Sequence, residues 1–332
     1  MSALRALALL ALLAACSTCH AVTLDYCTLL NDLVNLDKLP LLEDGVRCRE
    51  WTSFDRGEYQ HPGANGDAGQ YLRVEPNGEA VMAEMTGPGC LVRLWSANPQ
   101  GKIRFYLDGA TTPQYEFDFD QLFRGALHPF KTPVVYRQSG GLASDCYLPI
   151  PYAKSCKVTA DKKWGQYYHL WFRTYPPDWH VPTFRLPLSA EETAALDRVC
   201  EAWNRVGQRP MPPAQTARLV SRHAFLQPGE ALTLPHLKGP AVIQAVKIRA
   251  EGDERYVWRK MWLQARWDGA QTPAIAAPLD GFFGTGFQAN EYKSLPAGVA
   301  DGQGYLYFPM PFRKSADLRL VNQGTRPVTV AL

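Results

Sequence analysis

The sequence predicts an all-β protein: two tandem jelly-roll or β-sandwich modules, a short N-terminal helix, and a second helix between the modules. Three observations predict it: a duplicated set of turn and strand motifs, period-two alternation of aromatic residues, and a composition rich in aromatics and turn formers.

The duplication comes first, because self-similarity at a fixed offset organises everything else. Asp108-Gly109-Ala110-Thr111-Thr112-Pro113 recurs as Asp268-Gly269-Ala270-Gln271-Thr272-Pro273, and Leu122-Phe123 recurs as Phe282-Phe283. Pro149-Ile150-Pro151-Tyr152-Ala153-Lys154-Ser155 recurs as Pro309-Met310-Pro311-Phe312-Arg313-Lys314-Ser315, again 160 positions on. Upstream, Gly87-Pro88 matches Gly239-Pro240 at an offset of 152. The second copy therefore carries eight extra residues, most simply in a longer loop around Glu251 to Arg259.

Each copy reads as β. Ile103 to Leu107 ends at Asp108-Gly109, where Gly tolerates positive φ and Asp is expected to bond its own backbone. Tyr115, Phe117 and Phe119 alternate with Glu116, Asp118 and Asp120, and Tyr168, Leu170 and Phe172 with His169, Trp171 and Arg173. The alternating acids read as a solvated strand face. The Pro-x-Pro-aromatic segments lack ladder donors and belong at a strand's beginning or a sheet edge.

Two helices interrupt this pattern. Ser189 with Glu192 forms a capping box, Leu196, Val199, Trp203 and Val206 make one apolar stripe, and Gly207 stands at the C-terminal end. Near the start, Leu29, Leu33, Leu36 and Leu39 predict a short helix ended by Pro40. The resulting division is a signal segment at 1–21, an N-terminal helical segment at 22–50, module 1 at 51–180, a helical linker at 181–214 and module 2 at 215–332.

Composition fits folded modules: 46% apolar and 20% charged residues, with nine Trp, 15 Tyr and 14 Phe beside 26 Gly and 26 Pro. The net charge of +3 is spread over scattered Lys and Arg, so no basic face for nucleic acid is expected. Arg5 followed by the apolar run Ala6 to Ala15 reads as an export signal, placing the protein in the periplasm or at the cell surface. Leu13-Ala14-Ala15-Cys16 resembles a lipobox, making Cys16 a lipidation candidate and the membrane a partner only through that anchor; cleavage after Ala21 is the alternative. Six cysteines lie beyond the signal, and Cys90 and Cys200 read as small buried apolar residues. The seven His are dispersed without an H-E-x-x-H motif, so neither a metal nor another cofactor is expected.

A family pattern emerges from blocks in a fixed order. Leu36-Asp37-Lys38-Leu39-Pro40, Ser53-Phe54-Asp55-Arg56, Asn65-Gly66-Asp67, Gly87-Pro88-Gly89-Cys90 and Arg93-Leu94-Trp95 come first. Asp108-Gly109 with Pro113, Phe282-Phe283-Gly284 and Phe308-Pro309-Met310-Pro311-Phe312 follow. From about residue 30 to the C-terminus the chain resembles glycoside hydrolase family 172, formerly the domain of unknown function DUF2961. The resemblance implies a double jelly roll, assembly into trimers or multiples of trimers, and retaining cleavage of fructofuranosides or arabinofuranosides.

In that family the nucleophile and acid/base are glutamates in a Gly-Glu-Gly-Asp block and a Gly-Thr-Gly-Thr-Glu-Asp block downstream of Pro-Met-Pro-Phe. After Phe312 this sequence has only Asp317 as a carboxylate. Ala250-Glu251-Gly252-Asp253-Glu254 echoes the first block, which makes Glu251, Asp253 and Glu254 the catalytic candidates. Gly284-Thr285-Gly286 echoes the second, with Phe287 and Gln288 where Thr and Glu are needed. Arg56, Asn65, Asp67 and Trp95 are the saccharide-binding candidates from the shared blocks. Two readings follow. Either this is a furanosidase chain whose glutamate blocks lie in a further segment, or it is a non-catalytic glycan-binding or structural oligomeric module at the cell surface.

Overall fold

A computed structural model of the protein describes residues 22–56, 66–97, 99–138, 143–163, 165–212 and 215–332. Cys16 with its signal segment, and Asn65, lie outside the described residues. Of the described residues, one compact unit gathers 22–26, Gly45–Phe119 and Pro149–Arg185, and a second gathers Cys27–Asp44, Asp120–Leu148 and Leu186–Leu332.

The first unit is a sandwich of antiparallel strands: β1 (Arg47–Thr52), β2 (Arg73–Val74), β3 (Glu79–Thr86), β4 (Gly89–Ser96), β5 (Lys102–Leu107), β6 (Tyr115–Asp118), β7 (Ile150–Tyr152), β8 (Ser155–Asp161) and β9 (Tyr168–Thr174). One sheet runs β1-β9-β4 with β7 also paired on β4, and the other runs β2-β3-β8-β5-β6. Period-two alternation sends Tyr168, Leu170 and Phe172 inward with Leu91 and Leu94, while the facing sheet contributes Val81, Ile103, Phe105 and Val158. These side chains are 0–6% exposed, a dry core of the kind that dominates sandwich stability.

The second unit holds helix α2 (Ala190–Asn204) and strands β10 (His223–Leu226), β11 (Ala231–Thr233), β12 (Leu237–Lys238), β13 (Ala241–Ile243) and β14 (Val246–Glu251). The short helix α3 (Val257–Lys260) precedes β15 (Met261–Trp267) and β16 (Ile275–Pro278), and α4 (Leu279–Phe282) follows. The series ends with β17 (Tyr292–Lys293), β18 (Ala297–Ala300), β19 (Gln303–Leu306), β20 (Met310–Phe312), β21 (Ser315–Asn322) and β22 (Val328–Ala331). Its sheets run β10-β22-β14-β19-β18-β17 and β11-β21-β15-β16, with β12 on β21 and a separate β13-β20 pair. Ile248, Trp258, Met261, Leu263, Phe283, Leu320 and Val328 fill the space between them. The capping box forms as expected: Ser189 Oγ accepts the Glu192 N–H at 3.2 Å, and Glu192 accepts the Ser189 N–H at 2.7 Å.

The duplication is real down to register. In the first copy β7 pairs with β4 as Tyr152↔Gly89, Pro151↔Cys90 and Ile150↔Leu91. In the second, β20 pairs with β13 as Phe312↔Ala241, Pro311↔Val242 and Met310↔Ile243. Both copies turn at Asp-Gly, with φ of 54° and 84° at Asp108-Gly109 and 56° and 79° at Asp268-Gly269. Two consecutive left-handed residues make the tight twisted turn that Asp-Gly favours. The Asp carboxylate, however, does not bond its own turn. Asp108 Oδ1 accepts the amides of Lys154 (2.6 Å) and Ser155 (3.2 Å), and Asp268 Oδ1 those of Lys314 (2.6 Å) and Ser315 (3.1 Å). It is a clamp onto the start of a neighbouring strand, which explains why Asp and Lys-Ser recur together.

Three local expectations need correction. The N-terminal helix does not reach Pro40: α1 spans Tyr26–Asn31, and Leu36–Lys38 forms a separate 3-10 turn. The Asn35 side chain accepts the Asp37 N–H at 3.2 Å, a local bond that competes with helix continuation. The aromatic alternation ends at Asp118, because Phe119–Leu122 turns helical and Phe119 is fully buried. The loop expected at Glu251 to Arg259 is partly regular: Glu251 closes β14, and Val257–Lys260 is helical.

Candidate functional site

Part of the second copy's extra length falls in the link between β14 and β15, beside a concavity that gathers sequence-predicted site residues. In the first copy β4 ends at Ser96 and β5 begins at Lys102, whereas in the second residues 252–260 separate β14 from β15. Around that longer link lies a cavity of ≈ 660 Å³ lined by Ala250, Glu251, Glu254, Arg255, Tyr256, Val257, Trp258, Gln288, Ala289 and Gly302. The two partial echoes, around Glu251 and around Gln288, are thus brought to one place.

Each wall has a local cause. Tyr256 adopts φ 60°, a left-handed conformation costly for a bulky residue and held only when its surroundings fix it. That turn launches α3 and drops Trp258 into the core, 2% exposed, with its indole N–H donating to Ala250 O at 3.2 Å. Trp258 packs on Phe283 with ring centroids 5.6 Å apart, a floor shared with the core. Tyr256 meets Phe287 at 5.7 Å; Arg255 lies 4.6 Å over the Tyr256 ring, and Arg259 lies 5.0 Å over Phe287. Phe287 stays 58% exposed, so aromatic surface faces solvent at the rim.

The carboxylates are not equivalent. Glu254 Oε2 accepts the amides of Thr325 (2.9 Å) and Arg326 (3.2 Å), and Oε1 accepts the Thr325 hydroxyl (3.1 Å). Desolvation pushes its carboxyl up, but these donors outweigh it and hold the group below its ordinary range. Glu251 is exposed and paired with Arg249 at 3.0 Å. Asp253 is exposed beside them. Nearby, Asp280 is 1% exposed; its Oδ1 accepts the Gly281 amide at 2.7 Å, and Arg259 approaches Oδ2 at 3.6 Å. Among the described residues no three His, Cys, Asp or Glu side chains gather as metal ligands.

The other candidates lie in the first unit. Arg56 donates to the carbonyls of Gln70 (2.8 Å) and Thr52 (2.6 Å) with its guanidinium over Phe54, and Asp67 accepts the Asp55 amide at 2.7 Å. Both tie the backbone on either side of residues 57–65. Trp95 lies on β4, half-buried, with its ring 5.2 Å from His169. Sequence reasoning missed Arg255, Tyr256 and Trp258. Their signal was the change of offset from 152 to 160, which marks an insertion in one copy only.

Residues 44–192 match the profile of the GH172 first beta-sandwich domain, and residues 216–331 match a GH172 domain-like profile. The chain belongs to glycoside hydrolase family 172. Membership in this family makes a saccharide the ligand class and agrees with the observed pair of β-sandwich modules. A search of curated proteins found no match. Among solved structures, an 11S globulin from Wrightia tinctoria, described for its auxin binding site, aligns over 76% of this chain and 73% of that one. The identity is 9% and the TM-score 0.16, too slight a likeness to carry any argument.

Proposed function

We propose that this family-172 chain binds a furanoside in the Glu251–Tyr256–Gln288 cavity and does not cleave it. The observation that carries the reading is the state of the carboxylates. Retaining cleavage needs two carboxyl groups about 5 Å apart, one ionised and one held protonated as the acid. Glu254 is committed to three hydrogen bonds that favour its ionised form, and Gln288, a neutral amide, stands where the second echo would place its acid. Neither supplies a proton.

Binding is well served by the same groups. Sugar C–H surfaces lie against aromatic rings, here Tyr256 and Phe287, while the Glu251 carboxylate, the Arg255 guanidinium and the Gln288 amide can read hydroxyls. The volume suits one or two sugar rings. The preference for fructofuranosides or arabinofuranosides rests on the family resemblance alone, as does assembly into trimers, and a periplasmic or surface location with Cys16 lipidated rests on the N-terminal signal segment.

The test pairs calorimetric titration of methyl arabinofuranoside and methyl fructofuranoside with hydrolysis of nitrophenyl furanosides. Saturable heat without turnover is expected. Turnover abolished by Glu251→Gln would overturn the non-catalytic reading, and absence of heat with both glycosides would remove the furanoside.

A further inference from the structure

One edge is closed in the first copy and open in the second. In the first, the chain returns after β9 and lays residues 181–184 against β7. Phe184 donates its amide to the Pro151 carbonyl at 2.8 Å, the Thr183 hydroxyl donates to Asp108 Oδ2, and the Tyr115 hydroxyl donates to the Phe184 carbonyl at 3.2 Å. The Phe184 ring, 4% exposed, meets Tyr115 at 5.5 Å and Tyr26 at 5.8 Å. This strap satisfies the outward carbonyl of β7 and plugs the edge with an aromatic side chain, as a segment added to a sheet edge does.

The second copy repeats the edge without the strap. Val242↔Pro311 has the register of Cys90↔Pro151, and in an antiparallel ladder a residue at that phase turns its carbonyl away from its partner. The Pro311 carbonyl therefore turns away from β13 as that of Pro151 turns away from β4. Among the described residues β20 pairs with β13 alone. Cys90 and Pro151 are buried, whereas Pro311 is exposed, Val242 is 43% exposed, and Phe308 just before β20 is 40% exposed. The aspartate differs to match. Where Asp108 takes the Thr183 hydroxyl, Asp268 takes the Arg313 amide at 3.0 Å and 3.3 Å. A segment seated on the second edge thus needs an amide and an apolar side chain, but no hydroxyl.

We propose that this edge receives residues 39–42 of a second copy of the chain. Leu39-Pro40-Leu41-Leu42 repeats the apolar-Pro-x-apolar order of Val181-Pro182-Thr183-Phe184, with leucine where the hydroxyl residue stood. Leu39, Leu41 and Leu42 are 46%, 62% and 97% exposed, and residues 41–43 belong to no helix or strand. Leu42 takes the place of Phe184: its amide bonds the Pro311 carbonyl, and its side chain covers Ile275, the counterpart of Tyr115. Charge favours the encounter, since Glu43 and Asp44 follow the leucines and Arg313 and Lys314 follow Phe312, all four exposed. The two surfaces differ, so the contact joins copies head to tail, into a ring where the rotation closes. It stands apart from the furanoside reading, because neither segment lines the cavity.

Replacing Leu42 with photoreactive benzoylphenylalanine, in an equal mixture of isotope-labelled and unlabelled full chain, tests it. Adducts between labelled and unlabelled chains are expected at peptides containing Val242 or Pro311. In sedimentation, Leu42→Asp and Val242→Asp are each expected to weaken self-association by about tenfold or more, the scale of one apolar side chain removed from a contact. A wild type that sediments as a monomer at micromolar concentration overturns the proposal, as does unaltered association in either variant. Adducts confined within one chain, which would make the segment fold back on its own copy, overturn it too, and so do adducts between chains at other peptides. Should a variant lose its cooperative urea transition, the adduct map alone decides.

Discussion

Replacing Glu254 with glutamine separates a structural carboxylate from a catalytic one. The side chain keeps its shape but loses the charge that three donors from Thr325 and Arg326 address. A buried hydrogen bond to a charged group contributes about 1.5–3 kcal/mol; this carboxylate is half-exposed, so water competes and the whole set is discounted to about 1–2 kcal/mol. Glutamine retains part of the bonding, and the expected loss at pH 7 is about 1 kcal/mol. The sign with pH follows from the direction of the shift. The folded carboxyl is held below its ordinary value, so its stabilisation is present above the unfolded pKa and disappears as pH falls through the folded one. Urea unfolding of the wild type and Glu254→Gln at pH 7 and again near pH 3 reads this directly. The gap should be open at pH 7 and narrower at the acid end. An equal gap at both pH values, or none at pH 7, refutes the assignment of Glu254 as a lock.

Other consequences follow from the same packing. Gly304→Ala places a Cβ 2.6 Å from the Phe283 ring and should cost about 1–3 kcal/mol by overpacking, measured by denaturant midpoint. Asp108→Ala frees two strand-leading amides and should destabilise by about 1–2 kcal/mol, with Asp268→Ala moving in the same direction. Burial pushes the Cys146 thiol up to about 12, so alkylation at pH 8 should spare it until unfolding while exposed Cys48 reacts, as peptide mapping would show. Tyr106, desolvated and bonded to Glu79, is pushed up to about 12 and should ionise late in a spectrophotometric titration.

Much of the architecture was legible in the chain. The offsets of 160 and 152 reappear as identical strand registers, because a duplicated segment that buries the same alternating face must pair the same way. Ser189 and Glu192 marked their helix because a capping box is satisfied within four residues. The N-terminal leucines misled, since helical spacing is a local signal and the Asn35 side chain offered the backbone another partner.

Sequence by itself therefore determined the β-rich class, the capped helix, the repeat and the family, all written in local spacing or in blocks of consecutive residues. Only the tertiary structure decided what the carboxylates do. Whether Glu254 is an acid or a lock depends on amides 71 and 72 positions away, and whether Asp108 holds its own turn or another strand depends on residues 46 and 47 positions away. Hydrogen-bond donors supplied by a distant strand set charge and role, and spacing along the chain carries no record of them.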